Sequence, residues 1–430
     1  MEDNKIVLAD GTRRAWFVAL IAYYVLATYL VPSTAKVERF SFVYFALVIP
    51  AWLYVAGNWR CLLVGYGTAS KLLALFAILA GISGALRADY PLAYNAVFLS
   101  AMAIVILNSR VYLKVAELNW IFLATVVGSV VVYALGLTEY GFLPGQADAL
   151  SCHAAMNWRV SLFRVTAESA MFSLVVLVAN IAYGQRLSGW VRWLVIFVAA
   201  YFLIYSGVRS IALAALIVVP IFAFAVLHRI TATARHHAVV GIVAGTVAIL
   251  SVPYWLGTSD GFWENYFLKT KSCDYQIRYG LAAPAESAES AAPDDWYAWT
   301  FNRHCSAMYQ LSLFAESPLG HRDLQPNSDQ QLIDTGCPTD SLRTYCASCN
   351  FVTYWLARAG LAAISLLLCF IVLMAGAVKS RNVGLSLILV AFGVVSFSWG
   401  VMFVPYNLIF LLMMAMPAIA AVHEIRSADP

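Results

Sequence analysis

Twelve apolar runs, most of them near the length that crosses a bilayer, dictate what this chain can become. They fall at about 15–31, 40–57, 72–86, 93–108, 119–136, 160–184, 193–207, 210–227, 238–256, 349–376, 384–402 and 405–422. A hydrocarbon core about 30 Å thick takes roughly 20 apolar residues of helix. In lipid every backbone polar group must be satisfied internally, which makes helix the spanning form for runs of this length. Charge content agrees, since only 12% of the residues are charged against about 25% in a soluble chain. The expectation is an all-α integral membrane protein with about twelve transmembrane helices. A net charge of +4 is too small to suggest a nucleic-acid partner.

Alternate connections carry the cations: Arg13 and Arg14, Arg60 and Lys71, Arg110 and Lys114, Arg186 and Arg192, Arg229 and Arg235, Lys379 and Arg381, and Arg426. By the positive-inside rule these connections and both termini belong in the cytoplasm. The opposite set is then exposed outside: 32–39, 87–92, 137–159, the hinge near Arg209, the segment 257–348, and the turn Pro405-Tyr406-Asn407. The run after Arg13 and Arg14 is long for a signal-peptide core and reads as a retained first span. No internal repeat is evident.

The segment 257–348 is the one long polar stretch, lying between spans nine and ten. It divides the chain into 1–256, 257–348 and 349–430. Within it, residues 281–295 are rich in Ala, Ser, Glu and Pro and read as a linker. Phe301 to Phe314 carries Met308, Leu311 and Phe314 at helical spacing behind Trp296 and Trp299, which predicts a helix packed on the membrane face and ended by Pro318 and Gly320. Six cysteines fall on the outer side: Cys152, Cys273, Cys305, Cys337, Cys346 and Cys349. An even number there predicts up to three disulfides, whose pairing spacing alone leaves open. Cys346-Ala-Ser-Cys349 has metal or redox spacing but no second such pair, so structural disulfide is the reading and no metal or cofactor is expected. Cys61 and Cys369 belong to the cytoplasmic side or a span and read as inert.

Arginines inside spans carry the functional signal, because each costs about 2.5–3.5 kcal/mol on insertion and needs a partner or a task. Arg209 sits between two closely coupled apolar runs with no acidic neighbour in sequence. Arg164 has Glu168 one turn later, a spacing that permits an ion pair. Arg358 falls about nine residues into the tenth span, and Arg303 lies in the segment's helix. Structural pairing or snorkelling is the plain alternative for Arg164 and Arg358. Residues 257–348 hold twelve Asp and Glu against six Lys and Arg, so a phosphate would be gripped there by particular guanidinium groups, which suit a paired-oxygen anion.

Tyr205-Ser206-Gly207-Val208-Arg209-Ser210 resembles the T-x-S-R element of the O-antigen ligase/polymerase superfamily. Three further stretches fall in that family's order: Trp158-Arg159-Val160-Ser161-Leu162-Phe163-Arg164, then Arg303 through Glu316-Ser317-Pro318-Leu319-Gly320, then Cys349-Asn350 with Gly360. The resemblance covers about residues 150–375.

It implies a membrane glycosyltransferase that moves a glycan en bloc from undecaprenyl pyrophosphate to a glycan or lipid A-core acceptor. The reaction would take place at the periplasmic face of the bacterial inner membrane, without metal or cofactor. Arginines suit this chemistry because a departing pyrophosphate chiefly needs its charge stabilised, while the acceptor hydroxyl needs a base. Arg209 and Arg303 are the donor-facing candidates, with Arg159, Arg164, Glu168, Arg358 and Asn350 as substrate-binding ones. The family's ligases carry a histidine base where this chain has Cys349. The base is then His304, His321 or Glu316, or the protein is a polymerase that does without it. Transfer to lipid A-core or to a pilin hydroxyl are alternative acceptor readings, and a lipid-linked glycan transporter is the alternative from another class.

Overall fold

The computed structural model describes residues 11–30, 42–63, 67–109, 113–135, 161–162, 166–183, 189–206, 212, 214–215, 245–252, 295–337, 350–379 and 383–396. Among them there is no strand. In chain order the helices are α1 Gly11–Leu30, α2 Phe42–Gly57, α3 Thr68–Leu86, α4 Tyr90–Ser109, α5 Val115–Ala134, α6 Thr166–Tyr183, α7 Gly189–Tyr205, α8 Asp295–Glu316, α9 Asp329–Ile333, α10 Phe351–Ala359, α11 Ala362–Lys379 and α12 Val383–Ser396. A 3-10 turn, Trp59–Leu62, follows α2. Four of these helices, α3, α4, α5 and α11, are long and apolar enough to cross a membrane, and the described residues are those of an all-helical membrane protein.

Short connections and cross-helix hydrogen bonds sort the helix ends into two sets. At one end Asn108 donates to the Cys61 carbonyl at 2.8 Å and accepts from Ser70 Oγ at 3.0 Å, which gathers the 3-10 turn, the start of α3 and the end of α4. Glu117 in the first turn of α5 accepts from the Lys114 backbone N–H and pairs with Arg14 at the start of α1. Asn119 and Asn180 exchange reciprocal amide bonds at 2.8 and 2.7 Å. Arg192 of α7 closes the end of α6 by donating to the Asn180 and Ile181 carbonyls, a task suited to a cation at a helix C-terminus.

Arg13, Arg60, Lys71 and Lys379 lie at this same end. So do the exposed tryptophans Trp16, Trp59, Trp120, Trp190 and Trp193. A girdle of indoles beside cations is the side-chain set of a headgroup layer.

The polar segment makes its own small core at the other end. Cys305, Tyr309 and Leu313 line one face of α8 at successive turns and pack against Leu324, Leu332, Cys337 and Ala357 of α10. A disulfide joins Cys305 to Cys337, and Gln310 accepts from Thr353 Oγ1 at 2.6 Å. Residues 295–337 thereby form a cap seated on the bundle through α10. The expected helix over 301–314 is present and longer, taking in Asp295, which the linker reading had included. Its Met308 and Leu311 face outward while the neighbouring stripe faces in.

Two expectations are corrected. The run 349–376 is not one span: it breaks into α10 and α11 at Gly360, whose φ of 63° is in the left-handed region. The turn 87–92 is not simply exposed, for Asp89 within it is 1% exposed. Cys61 and Cys369 are free and buried. Cys152, Cys273, Cys346 and Cys349 lie outside the described residues, as do the expected span at 405–422 and all of that at 210–227 except residues 212, 214 and 215.

Candidate functional site

The richest polar constellation among the described residues is the junction where the cap meets the bundle. Three segments converge there: the α3–α4 turn at Ser83–Asp89, the loop Ser317–His321 after α8, and the break Arg358–Leu361 between α10 and α11. Each brings an end that local structure leaves unsatisfied. The last carbonyls of α3 and α10 have no partner within their helices. Arg87, at the C-cap of α3, supplies the one α10 lacks, donating from Nη2 to the Arg358 carbonyl at 3.0 Å, while its backbone N–H and its Nε both donate to the Ser83 carbonyl of its own helix, at 3.2 and 3.3 Å.

Asp89 closes the turn as the N-cap of α4. Its Oδ1 accepts from Leu92 N at 3.3 Å, with Pro91 in the first turn where a missing N–H costs nothing. The same Oδ1 accepts from Arg358 Nη2 at 2.9 Å. Ala88 between them takes a positive φ of 52° to make the turn this tight.

Arg358 also donates from Nη1 to the His321 carbonyl at 3.3 Å, and His321 N donates to Ala357 O at 2.7 Å. Leu361 N donates to Pro318 O at 2.8 Å, and Ser83 Oγ to Leu319 O at 2.6 Å. Gly320 and Gly360 make these contacts possible. Both have positive φ, and a Cβ on Gly320 would lie 2.6 Å from the Arg358 carbonyl, while one on Gly360 would strike the Pro318 carbonyl. Two buried atoms of the cluster, Arg87 Nη1 and Asp89 Oδ2, make no hydrogen bond. Burial lowers the Arg87 pKa, opposed by the Asp89 carboxylate and reinforced by the Arg358 cation.

His321 is the member of this cluster with chemistry to offer. Its Nε2 lies 2.7 Å from the Leu313 carbonyl. A carbonyl only accepts, so Nε2 carries the hydrogen, and in the neutral ring Nδ1 is left with the lone pair of a base. Glu316 is exposed at the end of α8, immediately before this loop. Burial, then the Glu316 and Asp323 charges, raise the Tyr309 phenol above its ordinary range.

The sequence candidates therefore divide. His321 and Arg358 meet at the junction, and Glu316 borders it. Arg358 is not a free substrate-binding group, because its guanidinium is held by Asp89 and His321, and it sits in the last turn of α10 instead of inside a span. Asn350 is an N-cap whose side chain accepts from Thr353 N at 3.1 Å. Arg303 and His304 are on α8, His304 exposed. Twelve helical residues put His304 about 18 Å from Glu316 along the axis, so the two do not share one reaction centre. Glu168 is half-buried in the first turn of α6. Arg159, Arg164 and Arg209 lie outside the described residues.

Sequence reasoning passed over Arg87 and Asp89. The available signal was Asp89-Tyr90-Pro91, an N-cap followed by a first-turn proline between two apolar runs. No protein-family model matches the chain, and no curated protein matches it either.

Proposed function

We propose that this chain is a membrane glycosyltransferase that moves a glycan en bloc from undecaprenyl pyrophosphate to an acceptor at the periplasmic face of the bacterial inner membrane, as an O-antigen-type polymerase or ligase. The observation that carries the reading is His321: a ring oriented by the Leu313 carbonyl, within a cap docked at one end of a membrane bundle, beside a cluster of arginines. Its Nδ1 takes the proton of the acceptor hydroxyl as that oxygen attacks the anomeric carbon. The pyrophosphate leaves with the bonding electron pair, and Arg209 stabilises its charge; Arg303, about 15 Å along α8 from Leu313, is too far from His321 to share that centre.

Orientation rests on two independent signals. A disulfide in the cap fits an oxidising compartment, while Arg13, Arg14, Arg60, Lys71 and Lys379 gather at the opposite end. On this reading the cap is periplasmic, the N-terminus cytoplasmic, and the full chain spans about twelve times with the cap between spans nine and ten.

The test is full-length protein in nanodiscs with a lipid-linked oligosaccharide and either a second copy of it or lipid A-core as acceptor. Folded protein should lengthen one or glycosylate the other, and His321→Ala should abolish transfer. Arg209→Lys, which keeps charge but loses the two-pronged contact, should cost about ten-fold or more, or roughly 1.4 kcal/mol. Folded protein inactive with both acceptors overturns the reading. Full activity in His321→Ala returns the base to His304 or Glu316.

A further inference from the structure

Leu319 is 56% exposed, yet its backbone is among the most tightly held in the cap. Its carbonyl accepts from Ser83 of α3, and the preceding Pro318 carbonyl accepts from Leu361 at the head of α11. One exposed leucine is ordinary, but the surroundings of this one are not. On α3, Ser83 shares its face with Leu79 one turn before and Leu86 one turn after, both exposed. On α11, Leu361 begins an exposed row that continues through Ile364, Leu368 and Ile371 at the spacing of a single helix stripe. α3 and α11 are two of the helices able to span the membrane, so these rows meet acyl chains. Leu319 sits in the seam between them and carries both rows past the helix ends onto the cap.

We propose that Pro318-Leu319 is a membrane-inserted tip, with the Leu319 side chain among the acyl chains of the bilayer just beneath the headgroups. The occupant is bilayer lipid, because the patch is continuous with lipid-facing surface on both sides. Of the polar groups at that level, Arg358 pairs with Asp89, and Arg87 donates to the Ser83 and Arg358 carbonyls of the junction. Burying a leucine side chain in apolar surroundings favours the inserted state by about ten-fold or more. The insertion stands independently of the transfer reaction. If that reaction holds, the tip keeps Glu316 and His321 at headgroup depth, the level of a lipid-linked phosphate.

The experiment places benzoylphenylalanine at position 319 of the full chain in vesicles of phosphatidylethanolamine and phosphatidylglycerol. Position 368 serves as the lipid-facing reference and position 330, exposed on α9, as the water-facing one. After irradiation, lipid adducts read by mass spectrometry should approach the yield at 368 and exceed that at 330 by about ten-fold. A yield at 319 no higher than at 330, or adducts mainly to peptides of this chain, overturns the proposal. Where the photoprobe disturbs the junction, a nitroxide on Leu319→Cys reads the same depth. Faster collision with oxygen than with a water-soluble nickel chelate supports insertion, and the reverse overturns it.

Discussion

Neutralising Asp89 should release the cap from the bundle, and neutralising Arg358 together with it should largely restore the seat. Asp89 is 1% exposed and the Arg358 side chain 17%, so the pair is mostly shielded from solvent. Removing one member of a buried pair leaves the other charged and unpaired, which costs about 3–5 kcal/mol. Arg358 keeps its bond to the His321 carbonyl and some solvent, which puts Asp89→Asn near the lower figure, about 3 kcal/mol. Arg358→Gln should cost a similar amount by stranding the carboxylate. The double variant strands neither charge and loses chiefly hydrogen bonds, about 1–2 kcal/mol.

Two amides report the seat directly, His321 N–H bonded to Ala357 and Leu361 N–H bonded to Pro318, since neither exchanges until the junction opens. Native-state hydrogen exchange in nanodiscs should quicken at both by about a hundred-fold in each single variant, one decade per 1.36 kcal/mol, and by about ten-fold in the double. Rates within two-fold of the parent in the single variants, or additive effects in the double, would refute the claim that this pair seats the cap.

Gly360→Ala should undock the same loop, because its backbone conformation is one that glycine adopts freely and the added methyl meets the Pro318 carbonyl; faster exchange at Leu361 with unchanged exchange in α5 is the check. Reducing the Cys305–Cys337 bridge, which closes a separation of 32 residues, should weaken the cap by about 3–4 kcal/mol on the chain-entropy account, read as lost protection in α8 and α9 while Asn119 and Asn180 stay protected. Asn119→Leu should destabilise the α5–α6 contact by about 0.6–1.7 kcal/mol, and Asn119→Leu with Asn180→Leu by less, because the single change leaves one buried amide unpaired; steric-trap unfolding in bicelles measures both. Cysteine at Gln330 should react with an impermeant maleimide added outside intact cells, and cysteine at Lys71 only after permeabilisation; the reverse pattern would invert the proposed orientation.

The sequence by itself determined the class of this protein. Apolar runs near 20 residues leave a chain no fold but membrane helices, a constraint that acts through length and hydropathy without reference to which helix meets which. The longer polar segment, its amphipathic helix and the helix stop at Pro318 and Gly320 were legible for the same reason, since they depend on periodicity and backbone preference over a few residues. What only the tertiary structure decided is how distant polar groups share one another's charge. Arg358 reads as a lone cation inside an apolar run, but its partner, Asp89, is 269 residues away, and no local pattern links an arginine to an N-cap at that separation. The break at Gly360 was hidden likewise: a glycine within an apolar run is tolerated in a helix, and here it makes a corner with positive φ at which the Pro318 carbonyl, from a segment some forty residues earlier, lies where any Cβ would have to sit.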